Sequence, residues 1–230
     1  MPTRERLSAA GGLVLRALFA ALAAVRRPRP IHPRGVALVG TATWIGASQS
    51  GIRWVDDPPP SPQQVTARVS RSAGFPAPLP DVIGLALRFR TDEVPADLEL
   101  ASTGAGVPGR FALLLHGSPS RAHLGTLLPY TGDRGPVLLA ARTVTPTDLP
   151  TALPALGARL RQEPWRLRLF VATPRGAWHP FADLELRSAG LPSDTADRFD
   201  AGRRLLPGAR MPPWVRALRQ PSYDAVQRDR

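Results

Sequence analysis

Alternating apolar and polar residues dominate the middle of the chain. In residues 64–71, Ala67 and Val69 fall on one side of an extended segment, whereas Arg68 and Ser70 fall on the other. This two-residue period is typical of a strand with one buried face. Similar segments, separated by turns rich in Asp, Pro and Gly, predict eight strands, at residues 35–44, 64–71, 82–90, 96–102, 110–116, 136–144, 165–173 and 178–187.

A helical period marks the two ends of the chain. Apolar residues recur at helical spacing within residues 1–25, which predicts an N-terminal amphipathic helix. Arg16 interrupts its apolar run, and the run is too short to cross a bilayer, so we expect the helix to pack on the domain or, alternatively, to lie on a membrane surface. Other helical or turn segments are predicted at residues 121–129, 146–160 (broken by proline), 194–205 and 213–228.

These elements predict an α+β fold, an eight-stranded antiparallel β-barrel or strongly curved sheet with flanking helices. A closed barrel of this size holds side chains or one small ligand inside and leaves no strand edge exposed. A two-sheet sandwich is the alternative that the pattern leaves open. We expect residues 26–230 to form one domain, a usual size for a barrel.

Composition excludes several chemistries. The 230-residue chain has no cysteine, which excludes disulfides, zinc–thiolate sites and iron–sulfur clusters and fits a cytoplasmic protein. All 30 basic residues are arginines and the net charge is +12, but the arginines are scattered and aromatic residues make up only 6%. We therefore expect no nucleic-acid partner.

Four short motifs follow one another along the chain. Residues 29–40 read RPIHPRGVALVG, residues 67–70 read ARVS and residues 81–89 read DVIGLALRF; Pro207-Gly208 then precedes RQPSY at residues 219–223. In this order and spacing they resemble the haem-binding core of the catalase superfamily. The corresponding family motifs are Arg-x-x-His-x-Lys/Arg-Gly-x-x-x-x-Gly, Ala-Arg-Phe-Ser, Asp-x-x-Gly-Phe-Ala-Val-Lys-Phe and Arg-x-x-x-Tyr.

The resemblance implies a minimal catalase-like domain that binds haem b. His32 would be the distal acid–base residue, Ser70 would hold His32, and Tyr223 would bind the iron as a phenolate. Arg219, one helical turn before Tyr223, would favour the phenolate form. The remaining assignments are Arg29 and Arg68 at the haem propionates and Phe111 against the ring.

Departures from the family pattern shape the expected activity. Typical catalases are about twice this long, and their distal asparagine has no counterpart in residues 97–104, where Ser102 or Thr103 would have to substitute. Pro221 also lies between Arg219 and Tyr223. We therefore expect peroxidase-like or hydroperoxide-rearranging activity on hydrogen peroxide or an organic hydroperoxide, including lipid ones, rather than efficient peroxide disproportionation.

Two other functions stay open. One is a non-catalytic catalase-fold binding protein that has kept or lost haem. The other is a hydrolase built on residues 115–118 (LHGS) with a near match to a nucleophile motif at residues 46–51. His116 and His123 have no accompanying carboxylate cluster for a metal, so we expect both in solvated loops.

Overall fold

The computed structural model describes residues 35–91, 94–190 and 199–215. The strands are β1 Gly35–Trp44, β2 Gln63–Arg71, β3 Ile83–Phe89, β4 Ala96–Thr103, β5 His123–Gly125, β6 Tyr130–Gly132, β7 Gly135–Thr145, β8 Trp165–Ala172 and β9 His179–Ser188. The helices are α1 Arg53–Asp56 and α2 Leu153–Gln162, and single 3-10 turns occupy Gly109–Phe111 and Pro119–Arg121.

Eight of these strands close into an antiparallel barrel. The order around it is β1, β2, β3, β4, β5, β7, β8 and β9, and β9 pairs again with β1. Strand β6 lies outside the barrel and pairs with β7. Closure gives each barrel strand two hydrogen-bonded neighbours. The predicted eight-stranded barrel is therefore confirmed, and the sandwich alternative is wrong.

Apolar side chains fill the interior of the barrel. On β3, Ile83, Leu85, Leu87 and Phe89 are each at most 1% exposed, and half-buried residues alternate with them on the outside. Burying such a side chain contributes about 1.5–3 kcal/mol. The interior is thus a packed core, and any ligand surface of the barrel has to lie on its outside.

One predicted strand is in the wrong place. Residues 110–116 form the end of a 3-10 turn followed by isolated bridges, and the fifth barrel strand is β5, within the segment predicted as a short helix or turn. Strand β5 has only three residues, too few for a period of two to stand out. The strand at residues 110–116 was predicted from the apolar run Leu113–Leu115. Two of these leucines, Leu114 and Leu115, are solvent-exposed, so the run does not mark a buried strand.

The helices also differ in part from expectation. Helix α2 overlaps the proline-broken segment predicted at residues 146–160 and ends two residues beyond it. Pro154 is tolerated because it stands in the first turn, where no backbone N–H is required. The helix predicted at residues 194–205 is wrong over 199–205, which form turns. The predicted helix at residues 1–25 and most of that at 213–228 lie outside the described residues. No helix in the described part is long and apolar enough to cross a membrane.

Two glycines of the sequence motifs are required by close backbone approaches. A Cβ atom on Gly40 would overlap the carbonyl group of Glu185 where β1 pairs with β9. Gly208 has φ +79°, and a Cβ there would lie 2.6 Å from the backbone nitrogen of Arg53. Both positions therefore serve the barrel and its outer packing, independently of any ligand.

Candidate functional site

The outward faces of β1 to β4 carry a band of small residues. Strand register aligns two rows across these strands, and we call their members the outer band: Gly35, Ser70, Gly84 and Ala101 in one row, and Ala37, Arg68, Ala86 and Glu99 in the next. All except the buried Gly35 are half-buried. The band is thus a surface of small residues, glycine and alanine, with three polar side chains.

Arg68 and Ser70 point outward together, as the alternation predicted. The inward neighbour Val69 is 1% exposed, which fixes the direction of its flanking residues. A Cβ on Gly35 would lie 2.7 Å from Nε of Arg68, and a Cβ on Gly84 would lie 2.9 Å from Oγ of Ser70. Each polar side chain therefore occupies space that a neighbouring glycine leaves free.

Strand β4 does not supply the expected substitute for an asparagine. Ser102 is fully buried; its Oγ accepts from the backbone N–H of Ile83 at 3.0 Å and donates to the carbonyl of Leu114 at 2.6 Å. Thr103 Oγ1 lies 3.3 Å from Nδ1 of His123. Ala101 occupies the row of Ser70, so within the band the only polar side chain from β4 is Glu99.

The structure brings together only part of the predicted site. Phe111 lies in the 3-10 turn after β4, half-buried and off the outer band, so its stacking role stays a prediction. The other predicted site residues lie outside the described residues: Arg29, His32, Arg219 and Tyr223. Arg68 and Ser70 are therefore the two predicted site residues that lie together on the outer band.

A buried ion pair bounds the band on the side away from Ser70. Asp97 is fully buried and accepts from Arg88 Nε at 2.7 Å and Nη2 at 2.9 Å, as well as from the backbone N–H of Asp200 at 2.7 Å. The guanidinium of Arg88 also lies 5.0 Å from the ring centre of Phe199. This network ties the segment beginning at Phe199 to β3 and β4.

A polar cluster next to the outer band, at the end of β4, was not anticipated. His123 is 8% exposed, so its expected place in a solvated loop is wrong. Its ring lies 5.0 Å from that of Trp178, and the guanidinium of Arg110 lies 4.8 Å from the same indole. We call Thr103, Arg110, His123 and Trp178 the His123 cluster. Its members come from distant segments, so no local motif could reveal it.

Electrostatics in the His123 cluster favour the neutral imidazole. Burial first, and then the charges of Arg142 and Arg110, lower the pKa of His123 to about 4. Arg110 is itself 5% exposed, and it donates to the carbonyls of Thr173, Gly176 and Ala105 at 3.0–3.1 Å. The cluster therefore clamps the β8–β9 hairpin against the turn that follows β4.

The hydrolase alternative finds no support in the structure. Ser118 caps a 3-10 turn and donates to the carbonyl of Leu149 at 2.6 Å. Ser48, at the nucleophile position of the near-match motif, donates to the Asp56 carboxylate at 3.4 Å. Both hydroxyls stabilise loops, and the antiparallel barrel lacks the strand–helix alternation that a nucleophile elbow needs.

Comparison with known proteins supports a fold assignment. No protein-family model matches the sequence, and no curated protein matches it. Among solved structures, the chain is similar to a fungal catalase, with a TM-score of 0.59 and 12% sequence identity over 90% of this chain. The chain covers 60% of the length of that catalase. Together with the closed antiparallel barrel, this similarity shows that the chain has a catalase-like fold.

Proposed function

We propose that the protein binds haem b on the outer band and reacts with hydrogen peroxide or an organic hydroperoxide. The observation that carries the proposal is the pairing of Gly35 with Arg68 and of Gly84 with Ser70. These pairs combine a surface of small residues with one outward guanidinium and one outward hydroxyl, in a catalase-like fold.

The described residues fit such a group. A porphyrin is planar and largely apolar, and its two carboxylates are best met by arginine. The band offers glycine and alanine for the plane and Arg68 for a carboxylate. When bound, haem would supply the redox chemistry of its iron at the peroxide bond.

The chain's own residues would hold the group and carry protons. Tyr223 would be the iron ligand, with Arg219 favouring its phenolate form. His32 would accept the proton of the hydroperoxide and return it to the leaving oxygen. Ser70 would orient His32 through its hydroxyl, while Arg29 and Arg68 would hold the propionates and Phe111 would lie against the ring.

The outward face of β4 favours peroxidase-like or rearranging chemistry over peroxide disproportionation. Ala101 stands beside Gly84 in the row of Ser70, where it offers no hydrogen-bond donor. We therefore propose peroxidase-like or hydroperoxide-rearranging chemistry over rapid disproportionation. The same feature favours a second candidate, a non-catalytic haem protein, which would bind haem and leave peroxides unreacted. In either case we propose a cytoplasmic protein, since the chain has no cysteine.

Spectroscopy of the purified full-length chain with added haem b tests the proposal. We expect a Soret band and a high-spin spectrum of the tyrosinate type, and Tyr223→Phe should remove that spectrum. His32→Ala should keep the haem but lose most peroxide reactivity. A protein that stays colourless after haem addition would overturn the proposal, and bound haem without peroxide reactivity would select the non-catalytic candidate.

A further inference from the structure

One end of the barrel exposes four large apolar side chains. Phe75, Leu79, Leu114 and Leu115 are 47%, 52%, 42% and 55% exposed, and we call them the apolar rim. They lie where β2 and β4 end and β3 begins. Exposed apolar groups of this size, gathered at one place, are typical of binding surfaces.

The loop between β2 and β3 is held firmly beneath its exposed side chains. Arg71, 7% exposed, donates from Nη2 to the carbonyl of Phe75 at 3.0 Å and to that of Leu79 at 2.7 Å. The buried Asp81 carboxylate accepts from the backbone N–H groups of Ala73, Gly74 and Phe75 at 2.7, 3.0 and 3.0 Å. The backbone is thus anchored from inside, so Phe75 and Leu79 cannot turn inward without breaking these bonds.

The segment that carries Leu114 and Leu115 is hydrogen-bonded to the chain at the end of the β2–β3 loop. Asp81 and His116 exchange backbone hydrogen bonds at 3.1 and 2.9 Å, which places Leu115 beside the β2–β3 loop. The backbone N–H of Leu114 donates to the carbonyl of Ser102 at 2.9 Å. The rim is therefore one surface built on a stiff base rather than two loose loops.

Charges around the rim favour an anionic partner. Three segments lie at this end, residues 71–81, 112–121 and 146–151. Their two carboxylates are Asp81, buried against Arg71, and Asp148, which is 75% exposed and lies 3.5 Å from Arg159. Arg121, at the end of the second segment, is exposed. The chain as a whole carries a net charge of +12, which adds long-range attraction to a negative surface.

We propose that the apolar rim is a docking surface for a membrane containing anionic lipids. Phe75, Leu79, Leu114 and Leu115 would enter the headgroup–acyl boundary, and arginines such as Arg121 would contact the headgroups. The proposal uses none of residues 1–25, and it depends neither on haem nor on the outer band. Projecting apolar loop side chains on a chain with a net charge of +12 suit a lipid interface better than a flat protein partner.

Vesicle binding of the full-length chain tests the proposal. Sedimentation with phosphatidylglycerol–phosphatidylcholine vesicles should show binding that weakens with salt and is poor on phosphatidylcholine alone. The double variant L79D/L115D should bind the anionic vesicles at least about tenfold more weakly, because two buried apolar groups are lost. V94D is the matched control: Val94 is 63% exposed just before β4, at the opposite barrel end, and should change affinity less than about twofold.

Three results would overturn the proposal. If the wild-type protein does not bind anionic vesicles, the rim is not a lipid-binding surface. Equal binding by wild type and L79D/L115D assigns membrane contact to another part of the chain, such as residues 1–25. Self-association in gel filtration that L79D/L115D abolishes, without any vesicle binding, makes the rim a protein interface. Unchanged melting temperatures show that the variants are folded, and a haem spectrum would report separately on the proposed function.

Discussion

The outer band and the His123 cluster both lie on the outside of the barrel, but they differ in how deeply their polar side chains are buried and in what those side chains bond to. In the band, glycines stand beside Arg68 and Ser70 and leave both side chains half-buried. In the cluster, Arg110 and His123 are more than nine-tenths buried beneath Trp178, and Arg110 donates to three carbonyl oxygens. The band places its polar side chains beside glycine and alanine on the outside of the barrel, whereas the cluster uses them to hold the chain together.

This difference separates two roles for the same residue type. An arginine whose donors meet backbone carbonyls, such as Arg110, stabilises loops and has little capacity left for a ligand. The side chain of Arg68 instead fills the space beside Gly35 on the outward face of β2, where we propose that it meets a haem propionate. Changes in the cluster should therefore act on stability, and changes in the band should act on haem binding.

The largest effect is expected for Arg110→Met. Three carbonyl oxygens lose a charged donor, and the free energy of unfolding should fall by about 4 kcal/mol. Urea unfolding followed by circular dichroism measures the change. Arg175→Met, an exposed arginine in the same β8–β9 hairpin, is the control and should shift stability by less than about 0.5 kcal/mol. A similar loss in both variants would contradict the clamp role of Arg110.

The next effect is a loss of stability in mild acid that depends on His123. Its pKa falls from the ordinary 6.5 to about 4 in the folded protein, so the unfolded chain binds the proton more readily between these values. The free energy of unfolding should therefore decrease as pH falls from about 6.5 to 4, by up to about 3 kcal/mol. In His123→Leu, the free energy of unfolding should depend less on pH between about 6.5 and 4 than it does in the wild type. The comparison of the two proteins cancels the contributions of carboxylates that both contain. Parallel curves would contradict the buried, neutral state of His123.

The smallest effect is expected for Arg68→Leu. Loss of one charge-assisted contact should weaken haem binding by about tenfold. A haem titration followed at the Soret band measures it. Arg166→Leu is the control, since Arg166 is an exposed arginine on β8 that pairs with Glu185 at 3.0 Å, away from the band. If both variants bind haem like wild type, Arg68 does not serve the cofactor.

Long, regular strands were predictable because their side chains repeat the same environment every second residue. Seven barrel strands lie where the pattern put them, and Arg68 and Ser70 share the outward face of β2 as expected. The eighth failed because β5 pairs through only three residues, held by β4 and β7 rather than by its own period. A strand so short is specified by its neighbours, which local sequence does not contain.

Part of the site was predictable from motifs, and part was not. Gly35 and Gly84 stand in the motifs, but only the strand register shows that they make room for Arg68 and Ser70. The sequence offered Ser102 as a substitute for the asparagine, but in the folded protein its hydroxyl is hydrogen-bonded to the backbone of Ile83 and Leu114. Side-chain direction within one strand follows from alternation, whereas the partner across the sheet depends on register.

The sequence by itself determined the strand-rich core, the alternation that sends apolar residues inward and the glycine-containing motifs that resemble a haem protein. These features are local, since each depends on residues within one strand or turn. Only the tertiary structure decided that the sheet closes, that His123 is buried beneath Trp178 and that the apolar rim is held in solvent. Those outcomes depend on contacts between segments far apart in the chain, and no local pattern encodes which distant backbone will lie alongside.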